Sequence, residues 1–165
     1  MAARRQCGGS GPPKAAAEGR GISSSRLVFA PRVPLEQHLA RHRLADLFLD
    51  TFPVNAHTTA SDALWAGLPL VTLQGETFTS RVAGSVLAAA GLPELVTRTL
   101  DDYEALALKL ARAPAELARL KAHLESTRLT APLFDTERFR RNIENAYITM
   151  YERSQKGEPP ATFDV

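Results

Sequence analysis

The sequence predicts an α/β fold in which helices flank a parallel β-sheet. Short apolar runs bounded by Gly, Pro or Asp alternate with segments whose apolar residues recur at helical spacing. Only short connections separate these segments, and strands and helices that alternate in this way build parallel sheets with right-handed crossovers. The length of 165 residues, with 44% hydrophobic and 23% charged residues, suits one globular domain.

The alternating part of the chain predicts four strands with a helix between each pair. The strands cover residues 27–30, 47–49, 70–73 and 95–97, and the helices between them cover residues 35–44, 58–66 and 80–90. Pro31 closes the first strand, and Pro34 suits the first turn of the helix that follows. Gly67 and Gly91 stop the second and third helices, because glycine readily adopts the left-handed conformation that ends a helix.

From Asp101 onward the pattern is purely helical. Asp101 and Asp102 favour the start of a helix, and Pro114 marks a break before the next one. A last helix is predicted over residues 136–154, where the larger apolar residues fall on one face.

The two ends of the chain differ in composition from this core. Residues 1–24 are rich in Gly, Ala, Ser and Pro and predict a disordered leader or the boundary of a fragment, and residues 158–165 predict a flexible tail. The domain is therefore predicted over residues 25–157. Because residues 1–26 carry an excess of four positive charges within a total of +2, the rest of the chain is slightly acidic. A slightly acidic folded part argues against nucleic-acid binding.

Membrane insertion is not predicted, because no run of about 18 apolar residues occurs. The single cysteine, Cys7, lies in the leader and forms no internal disulfide. A reducing compartment, the cytoplasm, is the localisation that this composition favours.

The segment after the second strand carries the main candidate site. A helix opens on Thr58 and Thr59, with Asp62 three residues after the second threonine, which is nearly a capping box with Asp in place of Glu. The same layout gives a phosphate free N–H groups and the positive end of a helix. On these residues alone capping is the simpler interpretation. His57, directly before the helix, favours the anion site because its imidazole would lie over it.

The helix after the first strand carries His38, Arg41 and His42. The two histidines are four residues apart, but no carboxylate or Cys at ligand spacing completes a metal site, so no metal is predicted. Arg41 on this evidence is equally well a solvated surface charge. Ligands of parallel α/β sheets bind at the carboxyl ends of the strands, where the loops after residues 30, 49 and 73 are predicted to gather.

Taken together, a longer set of residues resembles one known family. The set comprises Arg26 to Pro31, Glu36 to His38, Leu44 to Asp46, Asp50 and Thr51, Asn55, His57 to Thr59, Asp62, Leu64 to Gly67, Pro69, Gly75 to Thr77, Ser80 to Ala83, and Pro132 to Asp135. In this order they resemble the C-terminal half of the catalytic region of protein O-GlcNAc transferases, including their bacterial and Spindly-like relatives. The resemblance covers roughly residues 22–157.

This resemblance implies the nucleotide-binding, Rossmann-like lobe of a GT-B glycosyltransferase whose donor substrate is UDP-GlcNAc and which uses no metal or other cofactor. In the family, backbone groups of the loop at Val33 would hold the uracil, and His38 and Arg41 would contact the base. Asp62 would bind the ribose hydroxyls.

The helix N-terminus would hold the diphosphate in the same family. His57, Thr58 and Thr59 would make these contacts and approach the sugar, with His57 as the candidate catalytic residue. The positive helix end would then stabilise the UDP leaving group while a Ser or Thr hydroxyl of the acceptor attacks the anomeric carbon. Leu35 and Val54 stand where animal members carry Lys and Cys, so the resemblance does not fix the donor sugar.

The other catalytic lobe and the tetratricopeptide repeats that bind protein acceptors in this family are not found in this sequence. We therefore expect that acceptor proteins bind through regions outside this chain, and that the isolated chain does not catalyse transfer. A non-catalytic module that binds a nucleotide-sugar or a partner is the alternative function.

Overall fold

The computed structural model describes residues 13–164. These residues fall into two compact units, one ending at Pro34 and the other beginning at Leu35. In the first unit the chain forms helix α1 (Pro13–Glu18) and a 3-10 turn (Ser24–Arg26). The hydroxyl of Ser23 caps this turn by accepting a hydrogen bond from the Ser25 N–H at 3.3 Å.

Two predictions fall on this first unit, and the structure corrects one of them. The predicted strand at residues 27–30 is wrong, because the segment has no strand partner and the Val28 side chain is 90% exposed. Residues 13–18, within the stretch predicted as a disordered leader or a fragment boundary, form helix α1, none of whose residues is buried, and the leader assignment stays a prediction. The rest of the leader, residues 1–12, lies outside the described residues.

The second unit alternates helices and strands and then becomes helical. Its elements are α2 (Leu35–His42), β1 (Phe48–Leu49), α3 (Thr58–Trp65), β2 (Leu70–Leu73), α4 (Val82–Ala89), β3 (Val96–Thr97), α5 (Leu100–Ala111), α6 (Pro114–Thr127) and α7 (Thr136–Gln155). Short 3-10 turns at Phe78–Ser80 and Pro93–Leu95 lead into α4 and β3. Each predicted helix and the last three predicted strands are confirmed, with ends that differ by a few residues.

The three strands form a parallel sheet in the order β1-β2-β3. Phe48 and Leu49 pair with Leu70 and Val71, and the second half of β2 pairs with β3. The predicted α/β class with a parallel sheet flanked by helices is therefore confirmed.

The core surrounds the central strand β2, whose first three residues are buried. Helices α3, α4 and α5 all contact this strand, and α6 packs on α5. Their fully buried leucines and valine are Leu64, Leu70, Val71, Leu87, Leu110 and Leu120. Burial of a side chain of this size contributes about 1.5–3 kcal/mol, so this cluster holds the helices against the sheet and fixes the loops at its edge.

No helix within residues 13–164 is long and apolar enough to cross a membrane.

Candidate functional site

The candidate site lies at the carboxyl ends of β1 and β2. The chain leaves β1 at Leu49, runs through residues 50–57 and enters α3. It leaves β2 at Leu73 and runs through residues 74–81 before α4 begins. Because β1 and β2 are parallel neighbours, both loops emerge at the same edge of the sheet, which is where α/β proteins bind ligands.

Asp50 is the centre of the first loop, and its side chain is buried at 3% exposure. One carboxylate oxygen, Oδ1, accepts hydrogen bonds from the backbone N–H groups of Thr51 at 2.8 Å and Ala56 at 2.7 Å. The other, Oδ2, accepts a hydrogen bond from the Thr72 hydroxyl in β2 at 2.6 Å. A single acid thus closes the loop on itself and ties it to the neighbouring strand.

Asn55 fixes the far end of the same loop. Its side-chain Nδ2 donates to the carbonyl oxygens of Thr51 at 3.0 Å and Leu73 at 3.2 Å, and its backbone N–H donates to Thr79 at 3.0 Å. The peptide bond between Phe52 and Pro53 at the tip is cis. Asn55, two residues before the N-cap residue His57, is therefore hydrogen-bonded to both strand-end loops.

The start of α3 differs from the predicted capping arrangement. His57 is the N-cap residue and its side chain makes no capping hydrogen bond, so Thr58 and Thr59 are the first two helical residues and not caps. The His57 carbonyl accepts from the N–H groups of Ala60 and Ser61 at 3.0 and 3.2 Å. The predicted Thr59–Asp62 capping box is absent from the described residues. The entry angle is set by Asp50 and Asn55 instead.

This leaves polar groups at the helix start with no protein partner among residues 13–164. The N–H groups of Thr58 and Thr59 belong to the first turn, where the helix supplies no acceptor. Both threonine hydroxyls are exposed, and neither makes a hydrogen bond to another described residue. Asp62 follows one turn later and is half-buried. The first turn of α3 therefore carries four donors without a described protein partner, at the positive end of the helix.

The loop of residues 74–81 places the aromatic side chain of Phe78 beside His57. The Phe78 ring meets the imidazole edge-on, with centroids 6.2 Å apart, and its side chain is 79% exposed. The loop that carries Phe78 is rigid, because the Ser80 hydroxyl hydrogen-bonds both Thr77 Oγ1 at 2.9 Å and the Thr77 carbonyl at 3.0 Å. Gly75 is needed there, since a Cβ would lie 2.6 Å from the Ser80 hydroxyl.

His38 and Arg41 lie together on α2. Arg41 Nη2 and His38 Nδ1 are 2.7 Å apart, and the His42 ring packs edge-on against the His38 ring with centroids 4.6 Å apart. His42 is buried and its Nδ1 is 2.8 Å from the His38 carbonyl, so it has a structural role in the helix. Val33 belongs to the first compact unit, in a segment without regular structure.

Tyr103 was not identified from the sequence, yet it supports the site from α5. Its hydroxyl donates to the Asp50 carbonyl at 2.9 Å, 53 residues away along the chain. Burial, together with the negative charge of Asp50, raises the pKa of the Tyr103 phenol above its usual 10.0. The hydroxyl therefore stays protonated and keeps donating at physiological pH. Asp50 could have been identified from its sequence position, as an acid directly after an apolar strand, whereas no local pattern indicates Tyr103.

A search of residues 13–164 finds no group of three or more His, Cys, Asp or Glu side chains that could hold a metal ion.

Comparison with known proteins assigns this architecture. The family model described as glycosyl transferase family 41 matches residues 5–143. The chain belongs to glycosyl transferase family 41. This match places the α3 N-terminus and both strand-end loops inside the region that defines family 41.

Named relatives in family 41 agree with this assignment. The chain is 39% identical over 150 residues to the probable UDP-N-acetylglucosamine–peptide N-acetylglucosaminyltransferase SEC of Arabidopsis thaliana, covering 90% of this chain and 15% of that relative. It is also 39% identical over 140 residues to the UDP-N-acetylglucosamine–peptide N-acetylglucosaminyltransferase of Caenorhabditis elegans, covering 85% of this chain and 12% of the relative. The chain thus spans about an eighth to a seventh of the length of these two relatives.

A solved structure shares the fold. A mutant of the O-GlcNAc transferase of Thermobaculum terrenum superposes with a TM-score of 0.79 and 39% sequence identity, covering 84% of this chain and 26% of that one. The fold of this family 41 chain is therefore that of the matching part of an O-GlcNAc transferase.

Proposed function

We propose that this chain forms the UDP-sugar-binding part of a glycosyltransferase that transfers GlcNAc from UDP-GlcNAc to Ser or Thr hydroxyls of proteins. The relatives that match it carry UDP-N-acetylglucosamine and a peptide acceptor in their names. Membership of family 41 supports a sugar-transfer reaction, and the site described above supports the donor half of that reaction.

The observation that carries the proposal is the set of unpartnered donors at the start of α3. Two N–H groups and two hydroxyls from Thr58 and Thr59 lie in the first turn of α3, directly after His57, at the end of the helix that favours negative charge. Asp50 and Asn55 hold this helix start in place before any ligand arrives. A pre-organised cluster of donors of this kind fits a diphosphate, because it gains hydrogen bonds without paying to order the loop.

The remaining proposed contacts are with the ribose and the base of UDP. In the proposed complex Asp62 accepts hydrogen bonds from the ribose hydroxyls, one turn below the diphosphate. His38 and Arg41 on α2 contact the base. The pair on α2 supports this role, because Arg41 and His38 already lie within 2.7 Å of each other.

In the proposed reaction the start of α3 stabilises the UDP leaving group. When an acceptor hydroxyl attacks the anomeric carbon, the bond to the diphosphate breaks and negative charge builds on UDP. The N–H groups and hydroxyls of Thr58 and Thr59 stabilise that charge, and His57 donates a further hydrogen bond beside the sugar. In this proposal the protein donors supply the stabilisation, without a metal ion or other cofactor.

Acceptor binding and the transfer step require regions of the enzyme outside this chain. The acceptor protein binds outside this chain, in the cytoplasm, and the chain alone binds donor without transferring it. Turnover of UDP-GlcNAc on an acceptor peptide by the isolated chain would contradict this division. A non-catalytic nucleotide-sugar-binding module is distinguished by joining the chain to the remainder of a relative's catalytic region, which restores transfer only if the enzyme proposal holds.

Isothermal titration calorimetry with UDP tests whether Thr59 contributes to donor binding. Thr59→Ala removes one hydroxyl that bonds a charged group in the complex, which corresponds to about 1.5–3 kcal/mol, or roughly a 10- to 100-fold weaker affinity for UDP. Thr136→Ala is the matched control, because Thr136 is also an exposed threonine in the first turn of a helix, α7. Equal affinities of the two variants for UDP would refute the proposed role of Thr59.

A further inference from the structure

The proposed diphosphate site at Thr58 and Thr59, which we call the donor seat, lies at the N-terminal end of α3. A cavity lies at the opposite end of this helix. It has a volume of about 350 Å³ and is lined where α2 and α3 end and along α6. Its charged lining residues are Arg43, Lys121, Glu125 and Arg128, with Gly67 and the buried His42 between them. We call it the basic cavity.

The basic cavity is separate from the donor seat. Ala66 and Gly67, which line it, directly follow α3, whereas Thr58 and Thr59 begin that helix. An eight-residue helix is about 12 Å long at 1.5 Å per residue, so the two places lie at opposite ends of α3. A ligand in the basic cavity therefore does not share the contacts of a ligand at Thr58.

The two arginines of the basic cavity have no anionic partner in the described part of the chain. Neither the Arg43 nor the Arg128 guanidinium makes a hydrogen bond or an ion pair with residues 13–164. The Nε atom of Arg128 is buried and unpartnered. Its guanidinium lies over the Trp65 ring at 5.7 Å, which orients the group but satisfies none of its donors. A buried donor without an acceptor is unfavourable, and an oxyanion bound to the guanidinium would offset part of that cost.

The other charges of the basic cavity leave a positive excess. Lys121 is engaged, with its Nζ at 2.8 Å from Asp46 Oδ1 and at 3.3 Å from the Ala45 carbonyl. Glu125 is the acid of the lining, and it forms no ion pair with the described residues. Three cations therefore face one acid, with Asp46 at the rim offsetting Lys121.

We infer that the basic cavity binds a phosphate monoester. A phosphate group carries about −1.5 to −2 charges at pH 7 and offers several acceptor oxygens, which matches two unpaired arginines with five donors each. A carboxylate, with one charge and two oxygens, leaves one guanidinium unmatched. The volume exceeds that of a phosphate group and lies in the range of small-molecule sites, so it also accommodates a small organic substituent.

The ¹H–¹⁵N signal of the Arg128 side-chain Nε reports directly on this site. The full chain is titrated with inorganic phosphate and then with phosphoserine, with sodium chloride and sodium acetate at matched ionic strength as reference anions. We expect a saturable shift of this signal with both phosphates and only a small, non-saturating change with chloride or acetate. Equal responses to phosphate and chloride would overturn the inference, because they would show general screening.

Replacing single arginines by neutral glutamine tests whether the arginines of the basic cavity carry the phosphate binding. Arg43→Gln weakens phosphate binding by roughly tenfold, the equivalent of one charge-assisted hydrogen bond in a partly exposed site. Arg112→Gln, at the exposed arginine that follows α5 outside the cavity, leaves the phosphate response of the Arg128 Nε signal unchanged. Arg43 is preferred to Arg128 for this test, because Arg128 packs on Trp65 and its loss also changes the fold. Loss of the phosphate response in Arg112→Gln to the same degree as in Arg43→Gln would contradict the assignment.

Discussion

Replacing Asp50 by Ala tests whether the buried acid holds the candidate site in place. The carboxylate accepts three hydrogen bonds, from Thr51 N, Ala56 N and Thr72 Oγ1. The Thr51 amide belongs to an exposed residue and can bind water instead, but the other two donors lose their partner inside the protein. At about 1–3 kcal/mol for each unsatisfied buried donor, the free energy of unfolding falls by about 2–6 kcal/mol. This is a large part of the 5–15 kcal/mol that is typical of a domain.

Thermal and urea unfolding of the full chain measure this loss. At about 2–4 °C for each kcal/mol in a chain of this size, Tm falls by on the order of 10 °C. Asp101→Ala is the control, an exposed acid in the first turn of α5 that makes no hydrogen bond to a described residue, and it costs less than about 1 kcal/mol.

A double-mutant cycle then identifies the cause. Thr72→Val destabilises the native protein, whereas in the Asp50→Ala background it is nearly neutral because it removes a donor that already lacks its acceptor. The reasoning is refuted if Asp50→Ala is no more destabilising than Asp101→Ala, or if Thr72→Val costs the same in both backgrounds.

Three further predictions concern the support of Asp50, the end of α4 and the hydrophobic core. Tyr103→Phe removes the bond to the Asp50 carbonyl and lowers the unfolding free energy by about 0.5–1.5 kcal/mol near neutral pH. Since the Tyr103 pKa is raised, the stability that its proton contributes is fully present below pH 10 and is lost above it, so urea unfolding from pH 8 to 11 should show the gap closing as pH rises. Gly91→Ala places a Cβ 3.2 Å from His123 Nε2 at a φ of +77°, and calorimetry should show a larger loss of Tm than for Gly157→Ala, which has a φ of +71° but open space. Leu120→Ala empties a fully buried position and lowers the unfolding free energy by about 2–5 kcal/mol in urea, whereas Leu129→Ala, at an exposed leucine, changes it little.

Local pattern was sufficient for most of the fold. The helices and the strands of the second unit were predicted because each has its own periodicity or its own stop residue, such as Gly67 with a φ of +85° at the end of α3. The strand at residues 27–30 was wrong because an apolar run shows only that a segment favours extended structure. A strand also needs a neighbour to pair with, and composition does not reveal one.

The candidate site was predicted in part. His57, Thr58, Thr59 and Asp62 are consecutive or one turn apart, so their grouping at one helix start follows from the sequence alone. The hydrogen bonds that hold the preceding loop in place could not be predicted from the sequence. The bonds from Asp50 to Thr72 and from Tyr103 to Asp50 join residues 22 and 53 positions apart, and only the folded chain brings these residues together. The capping prediction was wrong because His57 is the N-cap residue of α3, so that Thr58 and Thr59 are already inside the helix.

The most direct test of the proposed function is a map of donor binding on the ¹⁵N-labelled chain. Titration with UDP-GlcNAc should shift the backbone amide signals of His57 to Asp62 most strongly, with smaller shifts on α2 at His38 and Arg41. The shifts should saturate, and Thr59→Ala should weaken the affinity that they report. Shifts that centre elsewhere in the chain, or the absence of saturable shifts at any donor concentration tested, would contradict a UDP-sugar seat at the start of α3.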